Sequence, residues 1–272
     1  MVQIFSIQNE KPWKEIISRS LNHDFYHTWY YHYLIAAVHP FYLYRTQAIS
    51  SVSSRLHPFI DQNFLMQRLG GDLIAGKSVV VDLSISIEEQ RKNYRRNLWR
   101  EIKKMQRKGY YLRESKTDAA ITNFISIYWE NMKRINAKDV YYFNEQYFFD
   151  FMRSDDFDAR LVFVVAGNET ICASLITLKN KIIQGYLIGT RGEYLSESPA
   201  KLLVDQVSVV GRELGMKYYN LGGGLNFEED QLFKWKSGFS RLYFNCNKWK
   251  YPSVNGVKSV IGVISNLYLI PW

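Results

Sequence analysis

A chain of 272 residues with 47% hydrophobic residues can bury one large core or two modest ones. Its two cysteines, Cys172 and Cys246, exclude a disulfide framework and a cysteine-rich metal motif, and they suit a reducing compartment. The net charge of +9 is not spread evenly: residues 91–113 hold ten Lys/Arg and one acid, a net of +9, which leaves 25 basic and 25 acidic residues elsewhere.

No apolar run approaches the roughly 20 residues that a membrane span needs. The opening MVQIFSIQNEKPW lacks the basic-then-apolar pattern of a secretory leader. The expectation is a cytoplasmic protein, with contact to the inner face of a membrane left open by the apolar tail described below.

Residues 1–60 are rich in aromatics and hold all five histidines. His23 and His27 stand four apart, which is a metal-ligand spacing on a helix. No acid or third histidine follows at a helical interval, so no metal site is expected. Asn22 or Asp24 could cap a short helix through the Tyr-rich segment that follows. Next, Ser78–Leu83 is β-branched and reads as a strand.

The basic stretch follows. Ser86-Ile87-Glu88-Glu89 reads as a capping box. Tyr94, Leu98, Ile102 and Met105 form one stripe; Lys92, Arg96, Arg100, Lys103 and Arg107 form another on roughly the opposite face. The spacing predicts one amphipathic helix that starts at Ile87 and ends at Gly109. Its basic face reads as an anion site for phosphate, diphosphate or nucleic acid. A merely solvated charged face is the alternative.

Beyond Gly109 the pattern predicts a strand at Tyr110–Glu114 and helices over Asp118–Asn136 and Asn144–Met152. Hairpin strands are expected at Arg160–Ala166, Thr170–Thr177 and Ile182–Ile188. Ser198-Pro199 should start a helix with Ser198 as its cap. Lys217–Leu221 reads as a buried strand running into Gly222-Gly223-Gly224. A short helix at Glu229–Ser237 and a strand at Arg241–Lys250 complete the pattern, and the apolar tail ends LYLIPW.

From residue 111 to about 250 the expected order is β-α-α-β-β-β-α-β-α-β, which is similar to the GNAT acyltransferase fold. The wording IYWENMKRINAKDVYYF, GYLIGT…SPAKLL and YYNLGGG…DQLFKWKSGF resembles the FemAB-like branch. That branch comprises peptidoglycan aminoacyl transferases and acetyltransferase-like proteins of polysaccharide gene clusters. Trp235-Lys236-Ser237-Gly238-Phe239 stands where these proteins carry an FKxGF-type motif, and RRNLWREIKKMQRKG looks like their Arg/Lys-rich segment. The resemblance implies an α+β fold with a mixed, largely antiparallel sheet flanked by helices. It further implies a shortened N-terminal unit over 1–110, an acyltransferase domain over 111–252 and an apolar tail over 253–272.

The resemblance implies acyl transfer to a cell-envelope or polysaccharide precursor, with a nucleotide- or lipid-linked sugar or peptide as acceptor. Acyl-CoA, acetyl-CoA by family habit, is the expected co-substrate. The helical-hairpin arm of the tRNA-dependent members has no room here, which argues against aminoacyl-tRNA. The segment GTRGEYLSESPAKL lacks the Q/R-x-x-G-x-G/A loop of ordinary CoA-binding members, so neither signature fixes the donor. Lys236 is expected to stabilise an oxyanion or phosphate, beside Gly223 and Gly224 at a splayed strand end. Arg100, Lys103 and Lys104 are expected at the acceptor's diphosphate. Tyr128, Tyr142, Tyr186 and Trp235 are expected to line the acceptor pocket. Glu228, Glu229 and Asp230 are the candidate bases. The alternatives are a non-catalytic relative that binds an anionic glycan precursor, an aminoacyl-tRNA-dependent transferase, and a nucleic-acid-binding protein.

Overall fold

The run KSVVVD forms the strand β3, Lys77–Asp82, whose four central residues are buried on both sides. Continuous burial of this kind marks an interior strand. In the computed structural model, residues 10–11, 14–15, 51–59, 71–225 and 228–252 are described. The histidines at 23, 27, 32 and 39 and the apolar tail lie outside them, as do the expected N-terminal helix and residues 61–70.

Two short strands precede β3: β1, Ser51–Arg55, and β2, Asp72–Ile74. Helices α1, Ile87–Lys92, and α2, Leu98–Arg107, follow it. Then come β4, Tyr111–Ser115; α3, Asp118–Arg134; and α4, Glu145–Met152. The hairpin strands are β5, Asp158–Ala166; β6, Glu169–Lys179; and β7, Ile182–Thr190. Helix α5, Ala200–Glu213, leads to β8, Tyr218–Gly222, and the short α6, Gln231–Lys236. Strands β9, Leu242–Asn245, and β10, Lys248–Pro252, end the described chain.

Seven strands form one sheet in the order β4-β5-β6-β7-β8-β3-β9, and β1-β10-β2 form a second. All pairs in the large sheet are antiparallel except β7 with β8. Because β3 pairs with both β8 and β9, the large sheet crosses residue 110 and no structural boundary falls there. The single strand expected at Arg241–Lys250 is two strands, parted at Cys246-Asn247 and belonging to different sheets.

Each face of the sheet carries its own core. On one, α3 and α4 bury an aromatic cluster that includes Phe124, Tyr128, Phe143, Tyr147, Phe148 and Phe151. On the other, α2, α5 and α6 bury Leu98, Ile102, Met105, Leu202, Leu203 and Phe233.

The basic stretch is two helices, not one. Ser86 caps the first as its spacing implies, its Oγ accepting from Glu89 N at 3.1 Å. The helix then breaks over Asn93–Asn97, where Asn97 takes a left-handed φ of 76°. Asparagine tolerates that conformation better than most residues. The break turns Tyr94 inward, so the apolar stripe is buried as expected although the helix is not continuous.

A buried carboxylate explains the break. Asp205 on α5 is 0% exposed. Arg91 grips it with two bonds, Nε to Oδ1 at 2.9 Å and one terminal nitrogen to Oδ2 at 2.7 Å. The Tyr94 hydroxyl donates to the same carboxylate at 2.9 Å, and Gln206 at 3.0 Å. Burial and the adjacent carboxylate together push the Tyr94 hydroxyl far above its usual range. Arg212 adds a second fastening by donating to Gln90 Oε1 and to the carbonyls of Asp82 and Ile85. The start of the basic segment is thus fixed to α5 by fully engaged polar groups.

Replacing Arg91 with Met should strand the Asp205 carboxylate and destabilise the protein by about 3 kcal/mol in urea unfolding at neutral pH.

Candidate active site at the gap between β7 and β8

Strands β7 and β8 run parallel but pair over only three residues, from Ile182↔Tyr218 to Gln184↔Asn220. Beyond Gln184 the ladder ends while both strands continue, and the sheet opens. Each strand is irregular at that point. The β6–β7 register shifts so that Tyr186 is an extra residue, and the β3–β8 register shifts so that Leu221 is one. Bulges bend strands and raise their twist, which is how two neighbours come to diverge.

Side chains take over where the backbone ladder stops. Asn220 Nδ2 donates to Gln184 Oε1 at 2.7 Å. Asn220 Oδ1 accepts from Ser78 Oγ at 2.6 Å and from Gly222 N at 3.0 Å. Gln184 Nε2 donates to Gly185 O at 2.7 Å. All three side chains are buried. Burying such amides is costly unless their hydrogen bonds are met, and here they are. Periodicity does not single out Ser78, Gln184 and Asn220; their signal in the sequence is a polar residue inside an otherwise apolar strand.

At the end of β8 the two glycines that follow the strand face the protein's own backbone. A Cβ on Gly223 would stand 2.6 Å from Lys77 O, and one on Gly224 would stand 2.1 Å from Glu228 O. The close approach that requires glycine here is therefore made by the chain itself. Gly222 has a φ of +77°, which favours glycine on its own account. Lys236 is 3% exposed, and its Nζ donates to Gly223 O at 2.7 Å. Lys236 thus meets Gly223 as a clasp between α6 and the strand end. Asp230, a candidate base, caps α6 by accepting from Phe233 N, and it also accepts from Leu225 N. Glu229 pairs with Lys77 at 2.8 Å.

The basic segment flanks this gap at two points. At its elbow, Arg95 N donates to Gly238 O, and Tyr94 meets Phe239 edge to face. Trp235, half-buried, packs on the same Phe239. At the other end, Lys108 pairs with Glu197 at 2.6 Å and Lys201 with Glu101 at 2.6 Å, tying α2 to the entry of α5. The Lys108 hydrogen bond, with a further contribution from nearby Lys104, holds the Glu197 carboxyl below its usual range. Arg100, Lys103 and Lys104 are exposed on the outer side of α2. Ser198 does not cap α5: it has a φ of 52°, and its Oγ bonds Leu195 O instead. Pro199 occupies the cap position.

Two of the expected pocket tyrosines are core residues. Tyr128 is 1% exposed and donates to Tyr141 O; Tyr186 is 0% exposed and bonds the Tyr147 hydroxyl. Their aromatic bulk fills the α3–α4 side of the sheet, so they do not line an acceptor pocket. Tyr142 is exposed on the connection ahead of α4. A separate polar hollow of roughly 490 Å³ lies beyond the end of β7, between Arg113, Glu130, Glu169, Arg191 and Glu193. Arg191 is already engaged there by Glu130, Asn123 and Thr170 O.

Residues 92–237, more than half of the chain, match the acetyltransferase (GNAT) domain family. The chain belongs to that family. The parallel pair that parts at Gln184 and Asn220 therefore lies in a GNAT domain, and the α+β fold with a mixed, mostly antiparallel sheet is the GNAT-like one expected. No curated protein matches the chain. Among solved structures, FemX superposes with a TM-score of 0.57 at 10% identity, covering 91% of this chain and 78% of FemX. L-PGS from Bacillus licheniformis gives 0.56 at 14% identity, covering 75% of this chain and 68% of its own. The C-terminal domain of a putative lysylphosphatidylglycerol synthetase from Agrobacterium fabrum gives 0.55 at 12%, covering 73% and 67%. At these identities the likeness is one of fold, and it supports the FemAB-like resemblance at that level.

Asn220→Leu should leave Ser78 Oγ, Gly222 N and Gln184 Oε1 without their partner and destabilise the domain by about 2–4 kcal/mol. Chemical denaturation measures this; a loss under about 0.5 kcal/mol would show that the amide network does not hold the strands.

Proposed function

We propose that this GNAT-family protein transfers an acyl group from acyl-CoA to a nucleotide- or lipid-linked precursor of the cell envelope or of a polysaccharide. The observation that carries the reading is the gap itself. A parallel ladder that stops at Gln184 and Asn220 leaves the β7 edge from Gly185 onward facing β8 without strand pairing. An extended donor arm fits such a slot, and backbone N–H groups on a strand edge are suitable donors to a thioester oxygen. In the reaction, an acceptor amine or hydroxyl attacks the thioester carbonyl, a new nitrogen–carbon or oxygen–carbon bond forms, the carbon–sulfur bond breaks, and CoA leaves as a thiolate that takes up, through solvent, the proton the acceptor loses.

Three features support roles for this chain's residues. The Lys236 clasp on Gly223 O fixes the far wall of the slot. Arg100, Lys103 and Lys104 stand exposed on a segment fastened to both sides of the gap, where they can meet an acceptor's diphosphate. Lys108 offsets Glu197 at the entry of α5, where a donor's phosphates would approach. No helix among the described residues is long and apolar enough to cross a membrane.

The test is acceptor-dependent thiol release from acetyl-CoA with a panel of sugar nucleotides and polyprenyl-diphosphate sugars. Lys236→Met keeps the aliphatic stem in its buried position. It should lower the rate by about 100-fold while the protein stays folded by circular dichroism. Full activity in this variant would remove Lys236 from the site.

A further inference from the structure

We infer that the outer face of the α1–α2 segment docks on a bilayer surface bearing anionic phospholipids. Lys92, Arg95, Arg96, Arg100, Lys103, Lys104 and Arg107 are all exposed there, and none makes an ion pair with a described residue. The only acid within residues 91–113, Glu101, is engaged by Lys201. Residues 91–113 carry the whole charge excess of the chain, since the rest balances at 25 against 25, and seven of their ten cations lie on this face.

The number of cations decides what kind of partner fits. One diphosphate engages only a few of the seven. The remainder lie along α2, about 15 Å long at 1.5 Å per residue, and around the elbow before it. A surface of this extent matches a repeating array of phosphates. Near an anionic bilayer each Lys or Arg adds to the attraction, and the effect fades within about 10 Å at ordinary salt.

Two observations favour a bilayer over a nucleic acid. Trp99, the aromatic residue within this face, is covered by the Arg91 guanidinium at 4.0 Å and approached by Lys103 at 5.6 Å, so its ring is not presented for stacking a base. The sequence from Val257 to Trp272 is apolar and carries one charge, Lys258. An apolar stretch in the same sequence adds a hydrophobic contribution that a bilayer, unlike a nucleic acid, can accept. The fastening of the segment by Asp205, Gly238 and Glu197 keeps the face rigid without using the outward cations.

The docking face shares Arg100, Lys103 and Lys104 with the proposed acceptor contact, but vesicle binding is measured with neither donor nor acceptor present, so it holds or fails apart from acyl transfer. The full-length protein would be sedimented with vesicles of phosphatidylcholine alone and with vesicles holding about 30% phosphatidylglycerol, at about 50 mM and about 300 mM salt. The expected result is binding to the anionic vesicles only, weakened at least about tenfold by the higher salt. The triple variant K103E/K104E/R107E should lose binding by more than about 100-fold. The variant K133E/R134E/K138E changes the net charge equally but lies at the end of α3 and beyond it; it should keep most of the binding. Equal loss in both variants would reduce the effect to net charge and overturn the docking face. Absence of anionic-vesicle binding would overturn it too, including the case in which a short RNA duplex binds the same face instead.

Discussion

The amide of Asn220 sits where the sheet must stop being a sheet. Its two ends satisfy Gln184, Ser78 and the Gly222 N–H within a buried layer, and the parallel ladder ends beside it. Backbone groups in a protein interior must be paired, so a ladder can end in the core only if side chains replace it. The bulges at Tyr186 and Leu221 let the two strands diverge from that point. The clasp of Lys236 on Gly223 O then fixes where β8 goes next. The gap is therefore built by neighbouring groups on β3, β7, β8 and α6, each of which would be costly to bury alone.

The basic segment is organised by a second buried polar group. Asp205 draws Arg91 and Tyr94 into one cluster, and the chain breaks its helix to bring them there. The consequence is an elbow that touches the α6 end through Gly238 and a second helix that touches the α5 entry through Glu197. Inward-facing groups do the fastening, and outward-facing cations remain available to a partner. A single straight helix could not meet both sides of the gap in this way.

Much of this was legible in the sequence. The strands and helices from β3 to α6 follow from periodicity, from β-branched runs and from Ser86 as a cap. The apolar stripe Tyr94, Leu98, Ile102 and Met105 was read correctly as the buried one, because a break of about one turn preserves a four-residue spacing. The break itself was not legible: it depends on Asp205, 111 residues from Tyr94 along the chain. The tyrosines show the same limit. Tyr128 and Tyr186 resemble pocket residues by type, but only the packing of α3 and α4 on the sheet tells that they fill a core. Gly223 and Gly224 were recognised as a strand end requiring close approach, while the approaching group proved to be the chain's own carbonyls. Site chemistry was least legible where it rests on buried amides, since Asn and Gln in a strand carry no periodic signature.

The account rests on the gap accepting an acyl donor, and a calorimetric titration with acetyl-CoA, with free CoA as the control, tests that claim most directly. The account predicts saturable binding with a dissociation constant on the order of micromolar, about −8 kcal/mol. It also predicts that Asn220→Ser, which disturbs the amide network without adding bulk, weakens that binding. Heat no different from buffer dilution for both ligands, with a protein shown to be folded, would contradict it.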